Sequence, residues 1–283
     1  MSLPSINSSA ELHWRERGTG SPVLLIHGLG SSGADWAFQA PALAARHRVI
    51  APDLRGCGAS APLPRQYSIA DYADDLRRLL DRLALDTTDV VGFSFGGAVA
   101  LELALRDPAR VRRLVKINSL ASYRVDHWRK WLEVYGQLAA IRVLGLKRTA
   151  RGIARRLFPS AWQHAMRARV EAVIGNASLA DYLIAVRALN GWSALERVDQ
   201  LRARTFLLAA EYDYTPLPEK REHARRLGAQ FAVVQGSRHG TPFDAIGATN
   251  AAVLAFLADA PLPQPLRADL EHEAPAAAPE GWI

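Results

Sequence analysis

Eight consecutive residues, Val90-Val91-Gly92-Phe93-Ser94-Phe95-Gly96-Gly97, constrain the fold of this chain more than any others. They read as a buried strand, a tight turn and the start of a helix. The turn carries Gly-x-Ser-x-Gly with Ser94 at its centre. A reactive side chain at the tip of such an elbow sits on a strained backbone, with neighbouring chain passing close by. Gly92 and Gly96 supply positions where a side chain would clash. The Ala- and Leu-rich stretch from Phe95 to Arg106 is the helix this pattern requires, and its N-terminal N–H groups face the place where an oxyanion would develop. As three fixed letters in five the pattern is weak; its strand-and-helix context makes it informative.

The rest of the chain repeats the strand-then-helix rhythm. Val23-Leu24-Leu25-Ile26 is a continuous apolar run, as expected of a strand covered on both faces. It ends in His27-Gly28-Leu29-Gly30, a loop that lacks the Gly-Lys-Ser/Thr ending of a phosphate-binding loop. This loop is suited to bringing a backbone N–H, that of Leu29, beside Ser94, with the N–H of Phe95 as a second donor. Further strands are expected at Glu11–Arg17, Arg48–Ala51, Thr88–Phe93, Val111–Ile117, Thr205–Ala210 and Phe231–Val234. Helices are expected at Asp35–Arg46, Ser68–Leu85 with Ser68 as N-cap, Leu217–Leu227 and Phe243–Leu257. Alternation of this kind implies right-handed crossovers and a doubly wound, mostly parallel α/β sheet, with ligands beyond the carboxyl ends of its strands.

The rhythm breaks between residues 119 and 200, where helix formers, tryptophans and arginines predominate. The expected organisation is an α/β core of residues 1–118 and 201–259, a helical cap of residues 119–200, and a flexible tail of residues 260–283 rich in Pro, Ala and Glu. With 283 residues, 49% of them hydrophobic, a large core is expected. The single cysteine, Cys57, excludes an intrachain disulfide. Neither a leader-like opening nor a membrane-length apolar run is apparent, so a cytoplasmic setting is expected. The formal charge of +7 suits anionic partners without naming one. No nucleic-acid module accompanies it.

A serine hydroxyl needs a base, and the base works best beside a carboxylate. Of eight histidines, His239 alone lies in a Gly-rich loop after an expected strand and before the last helix. His13, His27, His47, His127, His164, His223 and His272 have plainer settings. Asp213, in Glu211-Tyr212-Asp213-Tyr214-Thr215-Pro216, follows a strand, with Glu211 its nearest rival. Asp53 and Arg55 read as braces of their own loop.

Taken in order, His27-Gly28-Leu29-Gly30, Asp53-Leu54-Arg55-Gly56-Cys57-Gly58-Ala59-Ser60, Gly92 to Gly97, Asp213 and His239 resemble the α/β-hydrolase fold superfamily, over about Val23 to Leu257. The resemblance implies Ser94 as nucleophile, His239 as base, Asp213 as orienting acid, and Leu29 and Phe95 as oxyanion donors, with no cofactor or metal. A serine at this position argues against the relatives that need a carboxylate nucleophile, namely haloalkane dehalogenases and epoxide hydrolases. Phe93 and Gly240 stand where carbon–carbon-bond hydrolases tend to carry Asn and Trp. Hydrolysis of a carboxylic ester or lactone is the expected reaction. A cofactor-free perhydrolase, a carbon–carbon-bond hydrolase or a low-turnover small-molecule receptor on the same triad is the alternative. Trp36, Phe93, Trp128 and Trp192 are candidates for an apolar substrate pocket. The basic cap, Arg142 to Arg156, is taken as a solvated face; contact with an anionic membrane surface is its less favoured reading.

Overall fold

The computed structural model describes residues 12–125 and 128–269. Seven strands form one sheet in the order β1-β3-β2-β4-β5-β6-β7. They are β1 (Trp14–Arg17), β2 (Ser21–Ile26), β3 (His47–Pro52), β4 (Thr88–Phe93), β5 (Val111–Ile117), β6 (Arg204–Ala210) and β7 (Gln230–Val234). Only β1 runs antiparallel to its neighbour, β3; every other pairing is parallel.

The apolar runs are continuous because both sheet faces are covered. Val23 and Leu25 of β2 enter one core with Val91, Phe93, Val115 and Phe206. Leu24 and Ile26 enter the other with Val90 and Leu114. The period of two along each strand thus feeds two cores.

The helices are α1 (Ala40–Ala44), α2 (Ile69–Arg82), α3 (Phe95–Arg106), α4 (Trp128–Leu157), α5 (His164–Gly175), α6 (Leu179–Leu189), α7 (Leu217–Arg226), α8 (Thr241–Asp244) and α9 (Ile246–Leu257). α2 starts at a capping box. Asp71 N–H donates to Ser68 Oγ at 3.2 Å, and Ser68 N–H donates to Asp71 Oδ2 at 2.8 Å. α2 and α3 cover one face of the sheet, and α9 covers the other.

Three details differ from expectation. The stretch expected as one helix over Asp35–Arg46 is a 3-10 turn, Gly33–Phe38, followed by the short α1. The expected last helix divides into α8 and α9 at Ala245. Residues 260–269 of the expected flexible tail pack onto β7. Gln235 N–H donates to Leu266 O at 2.9 Å, Ala268 N–H donates to Gln235 O at 2.8 Å, and Leu266 is buried. The apolar Leu266 anchors a stretch whose composition alone reads as loose. Residues 270–283, and His272 with them, lie outside the described residues, as does His127.

Between β5 and β6 the chain forms α4, α5 and α6. α4 is broken at Gly145, whose φ of 75° leaves the helical region. No single helix among the described residues is long and apolar enough to cross a membrane.

One core group is out of character. Lys116 on β5 is fully buried, and its Nζ donates to Leu120 O at 2.9 Å. Burial pushes the ammonium down to about 7, against 10.5 for an ordinary lysine. Between these two values the unfolded chain binds one more proton than the folded one, so stability rises with pH across that window. Below pH 7 both states are protonated and the desolvation cost is felt in full. Lys116→Met is expected to raise stability by roughly 1–3 kcal/mol at pH 6 and to flatten the rise toward pH 10. Urea unfolding of parent and variant at the two pH values measures both effects.

Candidate active site

The elbow is built as its glycines demand. Ser94 has φ 53° and ψ −115°, outside the usual regions for a residue with a side chain. A Cβ on Gly92 would run into the carbonyl of Gly96, and one on Gly96 into the carbonyls of Ile26 and His27. One on Gly97 would strike Ser119. Ser94 N–H donates to Ile117 O at 2.8 Å, which ties the turn to the end of β5.

Three strand ends meet here. His239 follows β7, and its Nε2 lies 2.9 Å from Ser94 Oγ. Its Nδ1 lies 2.8 Å from Oδ1 of Asp213, which follows β6. An ionised carboxylate only accepts, so Nδ1 carries the proton and Nε2 is free to accept from the serine hydroxyl. The Asp213 side chain is fully buried and that of His239 is 8% exposed. Burial pushes the Asp213 carboxyl up, but His239 and Lys220 outweigh it and hold the group well below the usual carboxylate range. Asp213 is therefore ionised at neutral pH. Its rival Glu211 accepts from Gly236 N–H at 2.8 Å and braces the loop before His239.

Several residues that the sequence did not single out hold this arrangement. Asn118, at φ 48° beyond β5, donates from Nδ2 to His239 O at 2.8 Å and to Thr241 Oγ1 at 2.6 Å. Its Oδ1 accepts from Ala210 N–H at 2.7 Å. One amide thus joins the ends of β5 and β6 to the histidine loop. Asp244 braces the same loop by accepting from Ser237 Oγ at 2.6 Å and from Arg238 N–H at 2.9 Å. Lys220, in the first turn of α7, pairs with Asp213. Tyr214 places its hydroxyl 3.0 Å from His239 Nε2 and its ring 4.3 Å from the imidazole, with the Arg156 guanidinium 5.0 Å above the tyrosine ring. Burial, followed by the charge of Asp213, pushes the Tyr214 phenol up, so it is a neutral hydroxyl. The one local sign of Asn118 was an amide residue just after a strand, since Asn tolerates positive φ.

Other candidates fall into supporting places. Asp53 accepts from Gly33 N–H at 2.8 Å and Ala59 N–H at 2.9 Å, and meets Arg15 and His13 at 3.0 Å each. Arg55 pairs with Asp75 at 2.8 Å. His27 Nε2 accepts from Leu54 N–H at 2.9 Å, His47 meets Ser21 at 2.9 Å, and His223 Nδ1 accepts from Ala121 N–H at 3.2 Å. The Cys57 thiol is pushed up to about 12 by burial and by Asp53, so it is not a thiolate. Among the described residues no group of three or more His, Cys, Asp or Glu side chains is arranged to hold a metal ion.

A cavity of about 210 Å³ opens above Ser94 and His239. Leu29, Phe93 and Phe243 line it from the core, and Val170, Ile174 and Tyr182 from the inserted helices. Phe93 is the one proposed pocket aromatic that the cavity reaches. Trp36 is 2% exposed and packs in the core beneath. Trp192 is held away by its indole N–H, which donates to Glu102 Oε2 at 2.8 Å. Trp128 is 69% exposed on the outer side of α4. Each is an aromatic used for packing or left at the surface, and none lines the cavity. The inserted helices also bring Arg156 and Arg169 to it, opposite the single carboxylate of Asp35.

Known proteins share this build. Residues 21–169 match the α/β hydrolase fold family. A putative carbamate hydrolase, RutD, of Caulobacter sp. (strain K31) is 33% identical over 256 residues, covering 87% of this chain and 94% of that protein. A 2-hydroxymuconate semialdehyde hydrolase of Pseudomonas sp. (strain CF600) is 44% identical over 108 residues, 37% of this chain and 38% of that one. A thermophilic esterase from Thermogutta terrifontis superposes with a TM-score of 0.78 at 26% identity, over 88% of this chain and 93% of that chain. With its seven-stranded sheet, its elbow and these relatives, the chain belongs to the α/β hydrolase fold family and is a hydrolase.

Proposed function

We propose that this protein is a serine hydrolase that cleaves a carboxylic ester or lactone through an acyl-enzyme on Ser94. The observation that carries this reading is the unbroken chain from Ser94 Oγ to His239 Nε2 at 2.9 Å and from His239 Nδ1 to Asp213 Oδ1 at 2.8 Å. His239 takes the hydroxyl proton as Ser94 attacks the carbonyl carbon. The C–O bond to the alcohol then breaks, and the imidazolium gives its proton to the leaving oxygen. Water deprotonated by the same ring attacks the acyl-enzyme and releases the acid. Asp213 orients the ring and stabilises its charge.

The oxyanion falls to the N–H groups of Phe95 and Leu29. Phe95 opens α3, where an N–H has no intrahelical acceptor. Leu29 follows Gly28, where an added Cβ would press on the Phe93 ring and lie 3.8 Å from the Ser94 Cβ. Two such donors supply about 3–4 kcal/mol of barrier lowering each in comparable sites. The apolar lining suits an acyl chain more than a sugar or phosphate ester.

Ester hydrolysis is favoured over carbon–carbon cleavage because Phe93 and Gly240 stand where carbon–carbon-bond hydrolases tend to carry Asn and Trp. The relatives named for carbamate and semialdehyde substrates make both chemistries direct comparisons for assay.

A second reading concerns charge. Arg169 donates to Ala34 O at 2.8 Å and lies 3.5 Å from Asp35, while its Nε is buried without a hydrogen-bond partner among the described residues. That N–H is suited to an acyl group bearing its own carboxylate. On this reading an acidic half-ester exceeds a neutral ester of equal size in kcat/KM by about tenfold, and Arg169→Met abolishes the preference without abolishing turnover of the neutral ester. Equal kcat/KM values in the parent would refute it.

Ser94→Ala is expected to lose fluorophosphonate labelling and to lower p-nitrophenyl ester turnover by roughly 10³-fold or more while keeping the parent's unfolding midpoint. Asp213→Asn is expected to cost about 10⁴-fold in kcat, since the amide favours the wrong ring tautomer. Parent-like turnover by Ser94→Ala would exclude the mechanism.

A further inference from the structure

Asp213 is gripped from two directions. His239 Nδ1 meets Oδ1, and the ammonium of Lys220 meets Oδ2. Thr215 completes the shell, its Oγ1 donating to Oδ2 at 2.9 Å and its N–H lying 3.3 Å from Oδ1. The Lys220 and Asp213 side chains are both fully buried. Lys220 Nζ also lies 3.3 Å from Asn118 Oδ1, the same amide oxygen that receives Ala210 N–H. A buried ammonium costs several kcal/mol of desolvation, and burial does push Lys220 down from the ordinary lysine value. A helix start gains nothing from such a group, since a cation in the first turn of α7 opposes the helix dipole, which Glu219 suits.

The proposed triad needs a carboxylate that is ionised, fixed and not too strongly attractive to the imidazolium. An isolated buried carboxylate would hold a protonated ring tightly and so retain the proton that the leaving group requires. A cation on its far oxygen cancels part of that field while the ring keeps its hydrogen bond.

We propose that Lys220 is a positioning residue of this site, acting through Asp213: it turns Oδ1 toward His239 and offsets the carboxylate charge that the ring feels. The inference rests on the triad reading. Other groups face the same machinery. Ser94 and Tyr214 lie on the Nε2 side of the ring, with Arg156 stacked beyond Tyr214. Tyr123 feels the charges of Asp213 and Glu219, and Lys220 feels those of the same two carboxylates.

The test is the second-order rate of fluorophosphonate labelling of Ser94 between pH 5 and 9, scored per site that labels to completion. Lys220→Gln keeps a donor toward Asp213 and removes the charge. Its acid limb is expected to move up by about one pH unit relative to the parent's, so that on the limb its labelling, scaled to its own plateau, is about tenfold below the parent's at the same pH. Lys220→Arg keeps the charge and is expected to keep the parent's limb. A Lys220→Gln profile that drops uniformly with its limb in place would assign the lysine a structural role only and overturn the proposal. So would a Lys220→Arg limb displaced by a full unit, which serves as the test if the glutamine variant does not fold. A parent that fails to label, or a Ser94→Ala variant that still labels, defeats the triad reading instead and is distinguishable from either result.

Discussion

Everything at this site depends on a backbone conformation that serine ordinarily avoids. Holding Ser94 at φ 53° costs on the order of 1–3 kcal/mol, and it persists only where the surroundings over-determine it. They do so here through close packing of chain on chain. β2 passes so near α3 that a Cβ on Gly96 would strike the carbonyls of Ile26 at its end and His27 just beyond, and the carbonyl of Ile117 on β5 takes the serine N–H. The strands on either side of β4 therefore clamp the turn. Once the turn is clamped, α3 must leave along one direction, with its positive end under the cavity.

Asp213 and His239 reach Ser94 by a different device. β6 and β7 end further along the sheet, and the loops that follow them are long enough to wander. Asn118 removes that freedom. Its amide binds the backbone at Ala210 and at His239 at once, so the two loops keep a fixed offset from the end of β5. Asp244 then fixes the histidine loop from its other end. Burial raises the Asp244 carboxyl to about 6, outweighing the hydrogen bonds from Ser237 and Arg238 that pull it down. Its folded value lies above the unfolded one of 3.8, so the folded chain gains a proton first as pH falls through 6. The brace thus gains stability in mild acid, opposite to the usual behaviour of a carboxylate.

The α/β sheet and the elbow were legible because each rests on local rules. Continuous apolar runs mean strands covered on both faces, and Gly-x-Ser-x-Gly between a strand and an Ala-rich helix has few other uses. Asp213 and His239 were legible as residues just beyond strands, in the order the elbow suggests. What escaped was whatever depends on distance in three dimensions. Asn118 looks like any polar residue after a strand. Lys220 stands among Glu219, Arg221 and Glu222 and reads as one charge on a solvated helix. Nothing local says that its head group turns inward. The tryptophans misled for the converse reason. Indole rings suit pockets and cores equally, and the indole N–H of Trp192 is taken up by the buried carboxylate of Glu102.

The two halves of the site make different demands on the chain, and their construction differs accordingly. The proposed bond making needs atoms placed to within a few tenths of an ångström, and those atoms follow the ends of β4, β6 and the edge strand β7, where Asn118 and Asp244 tie the loops down. Substrate choice needs only a surface of the right size and charge. The inserted helices supply one side of that surface, opposite Leu29, Phe93 and Phe243 of the core; α4 and α5 pack on each other and on α6 around Ile141, Leu146, Ile174 and Tyr182. Tyr214 joins the halves: its hydroxyl reaches His239 Nε2 while its ring carries Arg156 of α4. The hydroxyls of Tyr214 and Ser94 both lie within hydrogen-bond distance of that one nitrogen, so a single side chain spans from the inserted helices to the imidazole.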